Sequence, residues 1–422
     1  MNWNEYQLGE LIHVKHGFAF KSQYFASEGT EIVLTPGNFY EEGGFKLRGD
    51  RDRFYSGSYP KEYLLAKKQI IIAMTEQGEG LLGSAALIPE NNRYLHNQRL
   101  GLVTVKDAMK IDPFYLYKLF NTQEMRLQIF ASATGAKVRH TAPERIYKCK
   151  VLLPSLPTQK KIAGVLSAYD DLIEANLKRI RLLEEMAQIT YEEWFVRLRF
   201  PNHKTTPTNP ETGLPEGWYR KSVSQLISVN PRTKPDVGVM SPYVPMSSLS
   251  ESLMLIQNIE SRIPSGGTKF KNGDTLFARI TPCLENGKTG FVQFMDNDEQ
   301  VATGSTEYIV LRETGLANRY FIYCLARSEY FREFSIKSMV GSDGRQRVNP
   351  DIYDTLEISV PDKFNMDRFR NFCAPVFKSI DLLVRQNIRL KEARDLLLPR
   401  LMTGLIDIDD YLSRNASAAA AA

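Results

Sequence analysis

Residues 160–195 read KKIAGVLSAYDDLIEANLKRIRLLEEMAQITYEEWF, and residues 367–402 read DRFRNFCAPVFKSIDLLVRQNIRLKEARDLLLPRLM. In both stretches the seam positions recur in alternating steps of four and three. Ile162 begins the first seam, and Phe369, 207 positions further on, begins the second. Because this heptad spacing lasts for more than four heptads, it predicts two long helices that bury a common seam.

The register of the two predicted helices follows from their polar seam positions. If the helices pack antiparallel with paired residue numbers summing to 563, Asn176 lies opposite Asn387, and most apolar positions meet apolar positions. A buried asparagine pair costs stability but fixes the alignment of the helices. Arg394 opposite Tyr169 is the imperfect layer. Pro375 is expected to loosen or kink the first turns of the second helix.

The rest of the chain forms two blocks of globular size, one before each helix. Trp218 echoes Trp3 at an offset of 215, and the helix start at Asn318 echoes the one at Asp112. The predicted fold class is α+β, with two mixed α/β domains separated by two long antiparallel coiled-coil helices and an internal pseudo-two-fold repeat. The expected boundaries are a first domain at 1–157, a helix at 158–197, a linker at 198–217, a second domain at 218–362, a second helix at 363–403 and a disordered tail at 404–422.

Composition indicates a globular protein with substantial cores. The 422 residues are 43% hydrophobic and carry a formal net charge of +5, which is only a mild hint of a polyanionic partner. The four cysteines are far apart in sequence, which is typical of reduced thiols. No stretch of eighteen apolar residues and no signal-like N-terminus is present, so a cytoplasmic location is expected.

Several strings resemble enzyme motifs, and we interpret each as structural. The string from Gly78 fits GxGxxG, but no helix pattern follows it. Gly287-Lys288-Thr289 resembles the end of a phosphate loop, but Pro282 stands where the first glycine would be. His13 and His16 lie three residues apart without further metal ligands. No E-x-K string occurs, so neither a catalytic nor a metal site is predicted.

Basic and polar clusters recur at matched places in the two blocks. Arginine, asparagine and glutamine can read base edges, whereas lysine mainly meets phosphate, so these clusters are candidates for DNA contact. The groups flanking Gly135 and Gly344 are the strongest of them. The candidates are Lys46, Arg48, His96, Gln98, Arg99, Lys137, Arg139 and His140 in the first block, and Lys269, Lys271, Arg279, Thr303, Ser305, Arg345, Gln346 and Arg347 in the second.

Four strings give the chain a resemblance to the specificity subunits of Type I restriction–modification enzymes. They are Leu153-PSLPTQKKIAGVL, Leu214-PEGW, Gly273-DTLFARI and Leu396-LLPRLMTG. The resemblance covers the chain except its tail, although Val360-PDKFNMDRF departs from the Pro-rich entry to the first helix.

The resemblance implies a division of labour. Each block would be a target recognition domain that reads one half of a bipartite DNA sequence, and the helices would serve as a spacer and as a platform for two methyltransferase subunits. Those partners would hold S-adenosylmethionine, and a motor-nuclease subunit would use ATP and Mg²⁺. The chain itself would be non-catalytic. A stand-alone two-headed DNA-binding protein, an enzyme with an unrecognised site and a protein-binding scaffold remain as alternatives.

Overall fold

The computed structural model describes residues 3–76, 80–235, 238–342 and 344–420, so Gly78 of the GxGxxG string lies outside the described residues. The chain folds as two compact units. Unit 1 comprises Met1–Ile173 and Arg389–Ala422, and unit 2 comprises Glu174–Ile388. Two long helices, α5 (Leu156–Tyr191) and α9 (Lys363–Met402), each contribute to both units. The predicted combination of mixed α/β domains with two long helices is confirmed.

Unit 1 contains a small mixed domain. Its strands are β1 Asn4–Gln7, β2 Ile12–His16, β3 Phe25–Ala26, β4 Ile32–Val33, β5 Phe54–Tyr55, β6 Ile70–Ala73, β7 Thr75–Glu76, β8 Ala85–Leu87, β9 Tyr94–Leu95, β10 Leu100–Val105, β11 Arg139–His140 and β12 Lys150–Leu153. Its helices are α1 Leu8–Leu11, α2 Pro113–Phe120, α3 Gln123–Ala131 and α4 Pro143–Ile146. One sheet has the order β2-β10-β6-β8 and another the order β3-β5-β4-β9, and β1 pairs with β12.

Strand β6 shows why this sequence builds two layers. Successive side chains of a strand point to opposite faces. Ile70 and Ile72 pack into the core that also holds α2 and the seam of α5, whereas Ile71 and Ala73 pack into a second core around Tyr94. A strand that is buried on both faces reads as an uninterrupted apolar run, as residues 70–73 do.

Unit 2 repeats this plan. Its strands are β13 Tyr219–Ser222, β14 Ser228–Val229, β15 Ser241–Val244, β16 Glu260–Arg262, β17 Thr268–Phe270, β18 Thr275–Ala278, β19 Thr289–Phe291, β20 Ala302–Gly304, β21 Tyr308–Arg312 and β22 Glu357–Val360. Its helices are α6 Val223–Leu226, α7 Arg319–Arg327 and α8 Glu329–Lys337. The sheet orders are β14-β21-β18-β19 and β16-β15-β20-β17, and β13 pairs with β22. Each unit therefore has two four-stranded sheets and a closing strand pair.

In unit 2 the seam of the long helices follows the antiparallel alignment. The Asn176 Nδ2 group donates to Asn387 Oδ1 at 2.9 Å and to Gln386 Oε1 at 3.0 Å. Further along, the rings of Trp194 and Phe369 lie 6.0 Å apart. Residue numbers therefore rise along one helix as they fall along the other, and paired positions sum to 563.

Replacing Asn176 with alanine tests the polar layer of the seam. The change removes two hydrogen bonds from a buried position, so we expect the free energy of unfolding to fall by ~1–3 kcal/mol. Replacing both Asn176 and Asn387 with leucine removes both polar partners together and should cost less than the single change. Urea denaturation of both variants measures this, and a double variant that is less stable than N176A would contradict the expectation.

In unit 1 the layer around Arg394 is completed by charges. The Arg394 Nη1 group donates to Asp170 Oδ1 at 2.8 Å, and Lys118 of α2 forms an ion pair with the same carboxylate. The Tyr169 hydroxyl lies 3.3 Å from that of Tyr411. The layer predicted to be imperfect thus has polar partners that the heptad pattern does not show.

The C-terminal segment differs from expectation. Instead of a disordered tail, helix α10 spans Ile408–Ala420, with Ile408 fully buried in the core of unit 1. Asp407 caps it by accepting from the Asp409 N–H at 2.8 Å. Helix α9 runs through Pro375, whose side chain lies on an exposed part of the helix surface.

A buried carboxylate on α5 fastens it to the domain of unit 2. Glu184 accepts hydrogen bonds from the Tyr323 hydroxyl and from the Met254 N–H. Burial raises the pKa of Glu184 above its usual value, although both hydrogen bonds and the nearby Arg327 oppose that shift.

The raised pKa of Glu184 has a testable consequence. The folded protein holds this proton more tightly than the unfolded chain, so stability increases as the pH falls from the folded pKa towards the unfolded value. The variant E184Q cannot titrate there. We expect the stability difference between wild type and E184Q to move in favour of wild type as the pH falls from neutral towards the usual glutamate pKa of 4.5, as measured by urea denaturation. Parallel pH profiles for the two proteins would contradict this.

Candidate nucleic-acid interface

Each unit places a hairpin loop at the end of its central buried strand. In unit 1, Thr134 and His140 exchange backbone hydrogen bonds of 3.0 and 2.8 Å. In unit 2, Val340 and Arg347 do the same, both at 3.0 Å. Gly135 has φ +99°, and a Cβ there would lie 2.1 Å from the Val138 carbonyl oxygen, so this turn requires glycine.

The unit 1 loop, residues 134–140, presents its polar side chains at the surface. Lys137 and His140 are exposed, and His140 Nδ1 lies 3.1 Å from Thr75 Oγ1. The Arg139 guanidinium stacks over the Phe130 ring at 4.0 Å, which limits its freedom. The predicted residues of this loop are therefore displayed together.

Gln98 and Arg99 adjoin that loop. The Met74 N–H donates to the Arg99 carbonyl at 3.0 Å, and the Thr141 N–H donates to the Met74 carbonyl at 2.9 Å. Both Gln98 and Arg99 have exposed side chains. The structure thus gathers residues 98–99 and 137–140 around one strand end, although they are about forty positions apart in sequence.

Two of the predicted contact residues are instead part of the core. His96 is fully buried, and its Nε2–H donates to the Leu100 carbonyl at 2.9 Å. Burial lowers the pKa of His96 to about 4, so its ring is neutral. Thr303 is 1% exposed within β20, which is paired on both sides. Both side chains are thus buried, whereas the prediction of DNA contact expected them at the surface.

Lys46, Arg48 and Lys271 lie in loops away from these hairpins in sequence. Lys46 is exposed beside the Tyr40 ring, at 5.5 Å from its centroid. Arg48 Nη1 donates to Thr35 Oγ1 at 3.3 Å. Lys271 forms an ion pair with Glu299 at 3.2 Å, which makes it a surface salt bridge. Lys46 and Arg48 belong to unit 1, whereas Lys271 belongs to unit 2.

Unit 2 has a basic cleft of about 490 Å³ beside its hairpin. Lys269 and Arg279 line it, together with Asn230, Arg232 and Lys234 from the loop after β14. Sequence reasoning missed that loop, although the cations between prolines in NPRTKP are a signal that could have found it. Four cations around one cleft make it suited to anionic groups such as DNA phosphates.

The hairpin of unit 2, described at residues 340–342 and 344–347, carries an oriented arginine. Arg347 donates from Nε to both Glu307 carboxylate oxygens, at 3.1 and 3.0 Å, and from Nη2 at 2.8 Å. The hydrogen bond from Arg347 lowers the pKa of Glu307, so this carboxylate stays ionised. Arg345 is exposed and Gln346 is half-buried in the same loop.

Ser305 lines a smaller cavity of about 260 Å³, which Arg262 also borders. The Arg262 guanidinium lies 4.0 Å from the centroid of the Tyr243 ring. Cation–π stacking keeps this cation in place at the mouth of the cavity. The two cavities share Thr306 as a lining residue, so they adjoin each other.

The described parts of the chain contain no helix long and apolar enough to cross a membrane. Within the same residues, no group of three or more His, Cys, Asp or Glu side chains is placed to hold a metal ion.

Comparison with known proteins bears on the use of these surfaces. Residues 1–185 match the family of the Type I restriction modification DNA specificity domain. The chain is 24% identical over 363 residues to the Type I restriction enzyme MjaIX specificity subunit of Methanocaldococcus jannaschii, covering 82% of this chain and 81% of that protein. It is 28% identical over 200 residues to the EcoEI specificity subunit of Escherichia coli, covering 46% and 33%.

A solved structure supports the same architecture. The S subunit of a Type I restriction–modification system from M. genitalium aligns over 95% of this chain and 96% of its own length, with a TM-score of 0.55 and 14% identity. At this level of identity the likeness concerns the fold. The chain is similar over most of its length to a specificity subunit of a Type I restriction enzyme, and its first 185 residues match the DNA specificity domain of such proteins.

Proposed function

We propose that each unit reads one half of an asymmetric, bipartite DNA target. The observation that carries this proposal is the matched hairpin at the end of β6 and of β18, which displays polar side chains in both units. The hairpins share a backbone plan but differ in side chains, since His140 of unit 1 corresponds to Arg347 of unit 2. Different side chains at equivalent places read different bases, so the two half-sites differ.

The basic cleft of unit 2 supplies affinity rather than sequence information. Lys269, Arg279, Arg232 and Lys234 line it and would neutralise phosphates. Phosphate contacts fix the position of a protein on the duplex, and base contacts then specify the sequence. The cleft and the hairpin of unit 2 would thus perform separate tasks on the same half-site.

The long helices would set the gap between the half-sites and dock the methyltransferase subunits. The 36 residues of α5 give a rod of ~54 Å, which matches about one and a half turns of duplex. Large apolar side chains on α5, including Leu182 and Ile189, are more than half exposed and would suit a protein partner.

In this proposal the chain supplies recognition and no catalysis, and it acts in the cytoplasm. Two methyltransferase subunits would bind S-adenosylmethionine and methylate adenine. A motor-nuclease subunit would supply ATP- and Mg²⁺-dependent cleavage. The names of the related proteins, all specificity subunits of Type I restriction enzymes, support this assignment.

Co-purification and DNA binding test the proposal together. Tagged chain expressed in its host should retain a methyltransferase, and the complex should bind duplex with an affinity that falls steeply as salt rises. Salt-sensitive DNA binding without a retained methyltransferase would favour a stand-alone two-headed DNA-binding protein. Binding that is negligible or insensitive to salt would overturn the proposal and leave a protein scaffold.

A further inference from the structure

We propose that Arg347 reads a guanine in the half-site of unit 2 and that Glu307 is the positioning residue that orients it. This inference rests on the proposed function and names the base chemistry of one position. It follows from the geometry of the pair, from its backbone supports and from the residues that replace it in unit 1.

The Glu307 carboxylate engages only one edge of the guanidinium. Nε and Nη2 of Arg347 donate to it, at 2.8 to 3.1 Å. The opposite edge, formed by Nη1 and the second Nη2 proton, keeps two donors, of which Nη1 makes only a long contact of 3.4 Å with the Arg345 carbonyl. Guanine alone presents two adjacent acceptors, O6 and N7, in the major groove, and paired arginine donors match them.

The backbone holds both partners in place. Arg347 is bridged to Val340 across the hairpin and to Ile280 beside β18. The Glu307 carbonyl accepts from the Arg279 N–H at 3.0 Å, and the Glu307 N–H donates to Ser305 Oγ at 3.2 Å. A side chain fixed at both its backbone and its tip loses less conformational freedom on binding, which sharpens discrimination.

The carboxylate argues against a phosphate contact at this place. An arginine that clamps phosphate gains nothing from a neighbouring anion, because the anion repels the DNA backbone. The Arg347 side chain is 43% exposed and that of Glu307 is 24% exposed, so the pair faces solvent and remains open to a ligand. A base edge, which carries no net charge, can approach it.

Unit 1 has no such pair at the equivalent positions. In unit 1 the Met74 N–H donates to the Arg99 carbonyl, and in unit 2 the Arg279 N–H donates to the Glu307 carbonyl. Arg99 is therefore the unit 1 residue that corresponds to Glu307. By its bridge to Thr134, His140 takes the place of Arg347. The oriented arginine is therefore expected to act in the half-site of unit 2 alone.

The experiment uses the assembled complex with its methyltransferase and a panel of duplexes in which each target base pair is varied. Wild type should prefer G·C over A·T at one position of the unit 2 half-site by about 10-fold or more. R347A should lose that preference, and E307A should reduce it several-fold while every other position keeps its preference. E307Q, which retains one acceptor, should fall between E307A and wild type.

The matched control is Glu313→Gln. Glu313 holds Arg319 in a similar ion pair on the same unit, outside the cleft and the hairpin. The E313Q variant should leave the base preferences at all positions unchanged. Thermal melting of every variant checks that it is folded. If E307A and R347A both kept the base preferences of E313Q, this inference would be overturned and the proposed function would stand. A wild-type complex without sequence preference in that half-site would overturn the proposed function instead.

Discussion

Exchanging residues 1–157 for the corresponding block of another specificity subunit should change one half of the methylated target and leave the other half unaltered. The unit 1 hairpin and residues 98–99 would be replaced, whereas the cleft and hairpin of unit 2 would remain. A half-site usually spans several base pairs, and each mismatched pair costs ~1–3 kcal/mol of binding free energy. The exchanged protein should therefore direct almost no methylation to sites that carry the original half-site.

The exchange must preserve the contacts that seat the block on the long helices. Gln159 accepts from the Asp112 N–H at 3.0 Å and donates to the Lys110 carbonyl at 2.9 Å. Lys118 pairs with Asp170, and Trp3 packs against Gly404. The donor block should therefore keep Lys118 and Trp3, and the reciprocal exchange of 218–362 serves as the control. If either exchange altered both halves, the division of labour would be wrong.

Inserting one heptad into each long helix should widen the gap in the target without changing either half. The insertion points are after Ile173 and after Arg389, where paired residue numbers still sum to 563. Seven residues lengthen a helix by ~10 Å, which corresponds to at most about three base pairs. Methylation mapping of the variant would report the new gap directly.

A matched control inserts two residues at the same points, which rotates the following apolar positions by about half a turn out of the seam and should abolish activity. Insertion is a cleaner test than deletion of two heptads. A deletion of that length could remove Glu184, whose hydrogen bonds hold α5 to the domain of unit 2. An unchanged gap in the seven-residue variant would refute the role of helix length.

The long helices could be predicted from sequence because their evidence is periodic and repeated. Asn176 and Asn387 meet, and Trp194 lies against Phe369, as the alignment of the two seams requires. A heptad pattern specifies which positions face a partner without any knowledge of the rest of the fold. The repeat of Trp3 at Trp218 likewise indicated that the second domain copies the first.

Most of the candidate interface depends on tertiary contacts that no local pattern shows. His96 stands in the polar string HNQR, yet it is buried and its ring bonds the Leu100 carbonyl, while Gln98 and Arg99 are exposed. Helix α10 was missed because an alanine-rich end masked the capping Asp407. The Glu307–Arg347 pair joins residues 40 positions apart, so only the fold reveals it.

The most direct test is a genome-wide map of methylated adenines in cells that express this chain with its methyltransferase, compared with cells that lack the chain. We expect methylation that depends on the chain and falls in one bipartite sequence with two different halves and a fixed gap. Three results would contradict the proposal that two different recognition units, joined by paired helices, read the target. They are a palindromic motif, a single continuous motif, and a map that does not change when the chain is removed.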